Sequence, residues 1–209
     1  MSEIMDYNAY NEYMGKAIKS KEGIKIMCAA LDRLAGKTPE ELIIEAGIAD
    51  KVPIDLEKLL CYWNVSVMPI NFSKLQKLQE SKEFRQQIDD KGDILGAVIL
   101  KGDNLCIFYK EDDTPNRQRF TIAHELAHCC IDYEKLAKAE INCRYENFSK
   151  TDRHENSINA FAGKILIPDN TLKVFYDKLL VPSADKLAMI FDVSGTVMEA
   201  RLEYLKLKI

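Results

Sequence analysis

Apolar positions recur at helical spacing in several separate stretches of the chain and as short β-rich runs in three others. From Ile24 to Ala35, the residues Ile24, Ile26, Met27, Ala30, Leu31 and Leu34 fall at helical spacing, with Gly23 and Gly36 as natural limits. Thr38-Pro39-Glu40-Glu41 predicts a second helix start, with Thr38 as N-cap, Pro39 at the first helical position and acids in the first turn; Gly47 ends it. Another helix begins in the segment Val52 to Leu60, with Asp55 as its cap. Val65 to Ile70 is β-rich and predicts a short strand. Residues 71–93 are charged and Gln-rich without a clear apolar stripe in their second half, which reads as a solvated helix plus a loop.

Leu95 to Leu100 and Leu105 to Tyr109 are strand-like runs joined by Lys101-Gly102-Asp103-Asn104, the chemistry of a hairpin loop. Thr114-Pro115 then opens a helix that runs without Gly or Pro through Cys130. From Asp132 to Lys150 the pattern loosens into a polar connector. Asp152 opens a further helix that continues to Ile167 and is stopped by Pro168. Ala184 to Phe191, Asp192-Val193-Ser194 and Gly195 to Leu205 read as helix, tight turn, helix. That outline resembles a DNA-reading helix-turn-helix, but Glu199 and Glu203 flank Arg201 on the second helix, so packing is the expected role. The pattern predicts an α+β fold: a mainly helical domain with a small antiparallel sheet beside the 115–130 helix, and a C-terminal helical segment. Three parts are expected: a helical extension over 1–50, the main domain over 51–182 and a helical subdomain over 183–209.

Composition narrows the function classes without choosing one. The 209 residues are 47% hydrophobic and 30% charged, the balance of a folded globular protein. A net charge of −4 gives no general attraction for nucleic acid or an anionic membrane, so neither is an expected partner. The first residues lack the basic start and apolar run of a signal peptide, and no stretch has transmembrane length, so a cytoplasmic location is expected. Six scattered cysteines with no C-x-x-C pair are expected to be reduced thiols.

The chemistry concentrates in Arg119-Phe120-Thr121-Ile122-Ala123-His124-Glu125-Leu126-Ala127-His128. This is an H-E-x-x-H sequence in a helical frame, in a chain with only three histidines. His124 and His128 lie one turn apart on one face and can grip one metal ion. Glu125, a short arc away, can take a proton from water activated there. Catalytic zinc usually has three protein ligands, so a third is expected downstream. Glu155 is the candidate, with Asn159 one turn on to hydrogen-bond and orient a ligand. Two other readings stand beside it: His154 as the ligand, or Glu155 as part of a capping box with Asp152. His154, Tyr133, Tyr145 and Arg153 are the candidates for stabilising an oxyanion. Cys129 and Cys130 adjoin the motif, but Cys129 points off the ligand face.

That stretch, followed by Glu155-x-x-x-Asn159-x-Phe161-Ala162 and Leu166-Ile167-Pro168, resembles the ImmA/IrrE metallopeptidase family. The segment from Ile54 to Val67 is similar to that family's N-terminal helix and strand, and Leu187-Ala188-x-x-Phe191-x-Val193-Ser194 to its C-terminal segment. The resemblance covers about residues 52 to 205, and the first 50 have no counterpart in it. Members often carry a Glu two residues before the Asn, where this chain has Ser157; that leaves Glu155 as the carboxylate of the window and strengthens its assignment as ligand. Ala127 replaces the usual Gly. The resemblance implies a zincin-like fold and a zinc endopeptidase of the cytosol, with His124, His128 and Glu155 on the metal and Glu125 as catalytic base. It further implies a protein substrate, a DNA-binding repressor whose inactivation switches on genes of a mobile element or a stress response. The alternative is a zinc-containing regulator that sequesters such a repressor without cutting it.

Overall fold

The computed structural model describes residues 28–71, 94–101, 103–138, 141–145 and 152–209. Among the described residues two short helices come first, α1 (Ala29–Leu34) and α2 (Pro39–Glu45). Thr38 and Glu41 form a reciprocal capping box at the start of α2. Gly36 and Gly47 sit at φ +71° and +65° beyond the two helices, the left-handed conformation that costs a side-chain-bearing residue most. The part of the first expected helix before residue 28 lies outside the described residues. Helix α3 (Leu56–Tyr62) follows, capped by Asp55, whose carboxylate accepts from the Lys58 amide.

Strand β1 (Val65–Ile70) leads to the stretch 72–93, read above as a solvated helix and loop, which lies outside the described residues. The strands β2 (Ile94–Lys101) and β3 (Asn104–Lys110) form the expected hairpin, with Lys101 opposite Asn104, so the loop between them has two residues rather than four. A fourth strand, β4 (Ile141–Tyr145), completes a sheet in the order β1-β3-β2-β4. The segment read as polar connector therefore contains a strand, because pairing with the free side of β2 supplies what its own pattern lacks. The α+β architecture is as expected, with one departure inside the sheet: β1 pairs parallel to β3, which makes the sheet mixed. Pro69 is tolerated in β1 because that strand lies at the sheet's edge.

Helix α4 (Pro115–Ile131) packs against β2 and β3 on one side and against α6 (Arg153–Leu166) on another. Between them lies the short helix α5 (Tyr133–Leu136). Residues 123–130 of α4 are buried without a break, so this helix has no solvent face over two turns. The helix α7 (Asp169–Lys178) follows Pro168, a segment whose helix the residue pattern left unread. The pair α8 (Ala184–Phe191) and α9 (Gly195–Tyr204) is joined by Asp192 in a left-handed turn, as the tight-turn reading predicts. Arg201, the base singled out on α9, is buried and holds Asp169 and the Ile167 carbonyl. One apolar cluster runs from Cys28 through Leu42, Trp63, Ile107 and Leu166 to Leu202. Trp63 donates its indole N–H to the Leu42 carbonyl, tying α2 to the end of α3. Among the described residues no helix is long and apolar enough to cross a membrane, and the described cysteines are free thiols.

Candidate metal centre

Burying His124, Glu125 and His128 in the middle of α4 is unfavourable unless each finds a partner. The two imidazoles turn their Nε2 atoms toward each other at 3.1 Å. Glu155, in the first turn of α6, brings Oε2 to 3.4 Å from His124 Nε2 and Oε1 to 3.8 Å from His128 Nε2. Asp152 caps α6 by accepting from the amides of His154 and Glu155, so the cap is made by Asp152 while the Glu155 carboxylate faces the histidines.

The outer nitrogens fix which inner atoms carry protons. His124 Nδ1 lies 2.9 Å from Asn159 Oδ1, and His128 Nδ1 lies 2.6 Å from Asp132 Oδ2. Both oxygens accept, so both Nδ1 atoms carry the hydrogen and both Nε2 atoms present lone pairs. Burial pulls His128 below its usual pKa against the opposing pull of Asp132, which favours the neutral ring that a metal requires. Two lone pairs and a carboxylate thus converge on one point, an arrangement that repels itself unless a cation lies between. Ligands about 2.05 Å from a tetrahedral ion are about 3.3 Å apart, close to the 3.1, 3.4 and 3.8 Å found. His124, His128 and Glu155 therefore fit a zinc-sized ion.

Glu125, next in sequence to His124, lies against the sheet. Gly96 of β2 approaches so closely that a Cβ there would lie 2.7 Å from Glu125 Oε1 and 2.7 Å from Thr121 Cγ2. The strand has its register shift beside this point, between Ile94 and Gly96. Absence of a side chain at Gly96 is what lets the sheet close over the carboxylate. No motif marked Gly96 in the sequence, since a glycine in a strand signals close approach without saying to what.

His154, weighed above as a rival ligand, is half exposed and lies with Nε2 2.9 Å from Asp132 Oδ2, away from the His124–His128–Glu155 point. Burial alone would raise the Asp132 carboxyl, but hydrogen bonds from His154 and His128 together outweigh it and hold it below the usual range. Asp132 escaped the sequence reading, which placed it in the connector; its spacing four residues after His128 was the available signal. Of the oxyanion candidates, His154 is engaged with Asp132, Arg153 is exposed at the start of α6 and Tyr133 is half buried in α5. The Tyr145 side chain lies outside the described residues. Cys129 and Cys130 are buried with thiols raised by desolvation, Cys130 to about 12, so neither offers a thiolate.

A helix carrying two histidines, a second helix carrying a carboxylate and a sheet laid over the first define a metallopeptidase-like domain. The family model for the IrrE N-terminal-like domain matches residues 75–203, and the chain belongs to that family. A comparison with curated proteins gave no significant match.

Proposed function

We propose that this protein is a zinc endopeptidase of the H-E-x-x-H type, acting on a partner transcriptional repressor in the cytoplasm. The observation that carries the reading is the convergence of His124, His128 and Glu155 with the buried Glu125 carboxylate on the same helix. A metal site serving structure alone needs no additional buried carboxylate beside it. Zinc held there would polarise a carbonyl and acidify water toward neutral pH. Glu125, beside His124 on the same helix, takes the proton of the attacking water and delivers it to the leaving amine. His124 and His128 are held in one tautomer throughout by Asn159 and Asp132. The repressor as substrate rests on the resemblance of the motif set to the ImmA/IrrE peptidases; the net charge of −4 suits a basic, DNA-binding partner.

The test is co-expression with a repressor encoded beside the gene, followed by immunoblotting and a reporter under that repressor. Wild type is expected to yield a cleaved repressor and an active reporter. Glu125→Gln keeps the zinc and loses cleavage by a factor on the order of a hundred to ten thousand. Full derepression by Glu125→Gln with the repressor intact would replace this reading with sequestration.

A further inference from the structure

The carboxylate of Asp132 occupies a position that neither the motif nor the family match assigns. It caps the C-terminal end of α4, one turn beyond His128, and the same oxygen, Oδ2, lies 2.6 Å from His128 Nδ1 and 2.9 Å from His154 Nε2. His128 belongs to α4; His154 belongs to α6 and is the residue directly before Glu155. One oxygen therefore holds an imidazole from each of the two helices that carry the candidate ligands. Asp132 is only partly exposed, its side chain 12% accessible, whereas that of His154 is 47% accessible.

We infer that Asp132 is the positioning residue that assembles the metal centre, and that His154 serves the centre through Asp132 rather than as a ligand. The inference rests on the zinc reading above. Two separate effects follow from the geometry. Accepting from Nδ1 fixes His128 with its Nε2 lone pair inward and makes the ring a stronger donor. Accepting from His154 pins the first turn of α6 to the end of α4, which sets the Glu155 carboxylate opposite the two Nε2 atoms. The same sharing explains why His154, although adjacent to Glu155 and ionisable, lies outside the ligand triangle: its ring nitrogen is committed to Asp132. The competing possibility, a second ion among His128, Asp132 and His154, conflicts with the 2.6 Å separation of His128 Nδ1 and Asp132 Oδ2. That is a hydrogen-bond length, shorter than the roughly 3.3 Å between two ligands of one tetrahedral ion.

The test is zinc affinity, measured by competition with a chromophoric chelator on the full chain, together with thermal unfolding of the metal-free protein. Asp132→Ala is expected to weaken zinc binding about 10- to 100-fold, with the metal-free protein still folded and its melting temperature lowered only by the loss of a buried hydrogen bond. His154→Ala is expected to weaken it by a smaller factor, about three- to tenfold. Glu134→Ala, which removes an exposed carboxylate two residues from Asp132, is expected to leave it unchanged. Asp132→Ala with zinc affinity within twofold of wild type overturns the proposal. So does a loss of affinity no larger than that of Glu134→Ala. If Asp132→Ala does not fold, the isosteric Asp132→Asn carries the decision: a loss of threefold or more supports the proposal, and wild-type affinity overturns it. His124→Ala run alongside separates the two levels. Zinc retained in that variant sinks the metal centre itself, whereas zinc lost there but retained in the Asp132 variants sinks this inference alone.

Discussion

Replacing Gly96 by alanine is the sharpest probe of how the sheet meets the metal helix. The added methyl would stand 2.7 Å from Glu125 Oε1, 2.7 Å from Thr121 Cγ2 and 3.1 Å from Glu125 Cγ. Ordinary contact begins near 3.4 Å, so relief requires about 0.7 Å of separation. Glu125 can swing its carboxylate, but Thr121 is buried and β-branched, and both belong to one helix. Strand and helix must therefore part, or Glu125 must leave its place. Overpacking of this kind costs about 2 kcal/mol, which for a chain of this size lowers the melting temperature by roughly 4–8 °C. An ångström-scale displacement of a reacting group costs on the order of a hundredfold in rate. The atoms nearest a Cβ at Gly96 belong to Glu125 and Thr121, neither a candidate ligand, so zinc content is expected to stay at the wild-type level. The assays are thermal unfolding by circular dichroism, metal analysis and cleavage of the repressor in the co-expression system. Wild-type stability together with wild-type cleavage would refute the close-approach argument; loss of zinc would show that the disturbance reaches beyond Glu125.

Three further outcomes are expected. Purified protein carries about one zinc per chain, and metal analysis finds it lost from His124→Ala and reduced in Glu155→Gln; equal zinc in Glu155→Gln and wild type would return that residue to a capping role. Asp152→Ala removes the side chain that accepts from the His154 and Glu155 amides and lowers stability by about 1 kcal/mol in urea titration, with a larger loss contradicting a purely local cap. Asp169→Asn strips the charge facing the buried Arg201 and costs about 2 kcal/mol by the same titration; a change within error would mean the Ile167 carbonyl alone satisfies that guanidinium.

Much of the helical framework was legible because its punctuation is local. Thr38-Pro39, Asp55, Thr114-Pro115, Asp152 and the glycines at 36 and 47 each act within a turn of themselves, and the helices begin and end where they stand. Strand β4 was not legible, since its existence depends on an open edge of β2 that lies some forty residues earlier in the chain. The parallel pairing of β1 was hidden for the same reason: which side of the hairpin it joins is decided by packing, not by Val65 to Ile70. At the candidate centre the residues at helical spacing from one another, His124, His128, Glu155 and Asn159, could be read together. Gly96 and the shared use of Asp132 could not, because each is a meeting of two elements far apart in sequence.

Arg119 holds the near end of the metal helix from two directions, with its guanidinium on the carbonyls of Ile54 and Asp192 and on the Asp192 carboxylate. At the far end the Gly36 amide holds the Cys130 carbonyl. During synthesis the histidines emerge long before residue 192 does, and until then one anchor of their helix has not been made. One tether of the helix that carries the candidate ligands therefore comes from beyond Glu155 in the chain, so removing the residues from Asp192 onward would leave the motif intact while taking away an anchor of its helix.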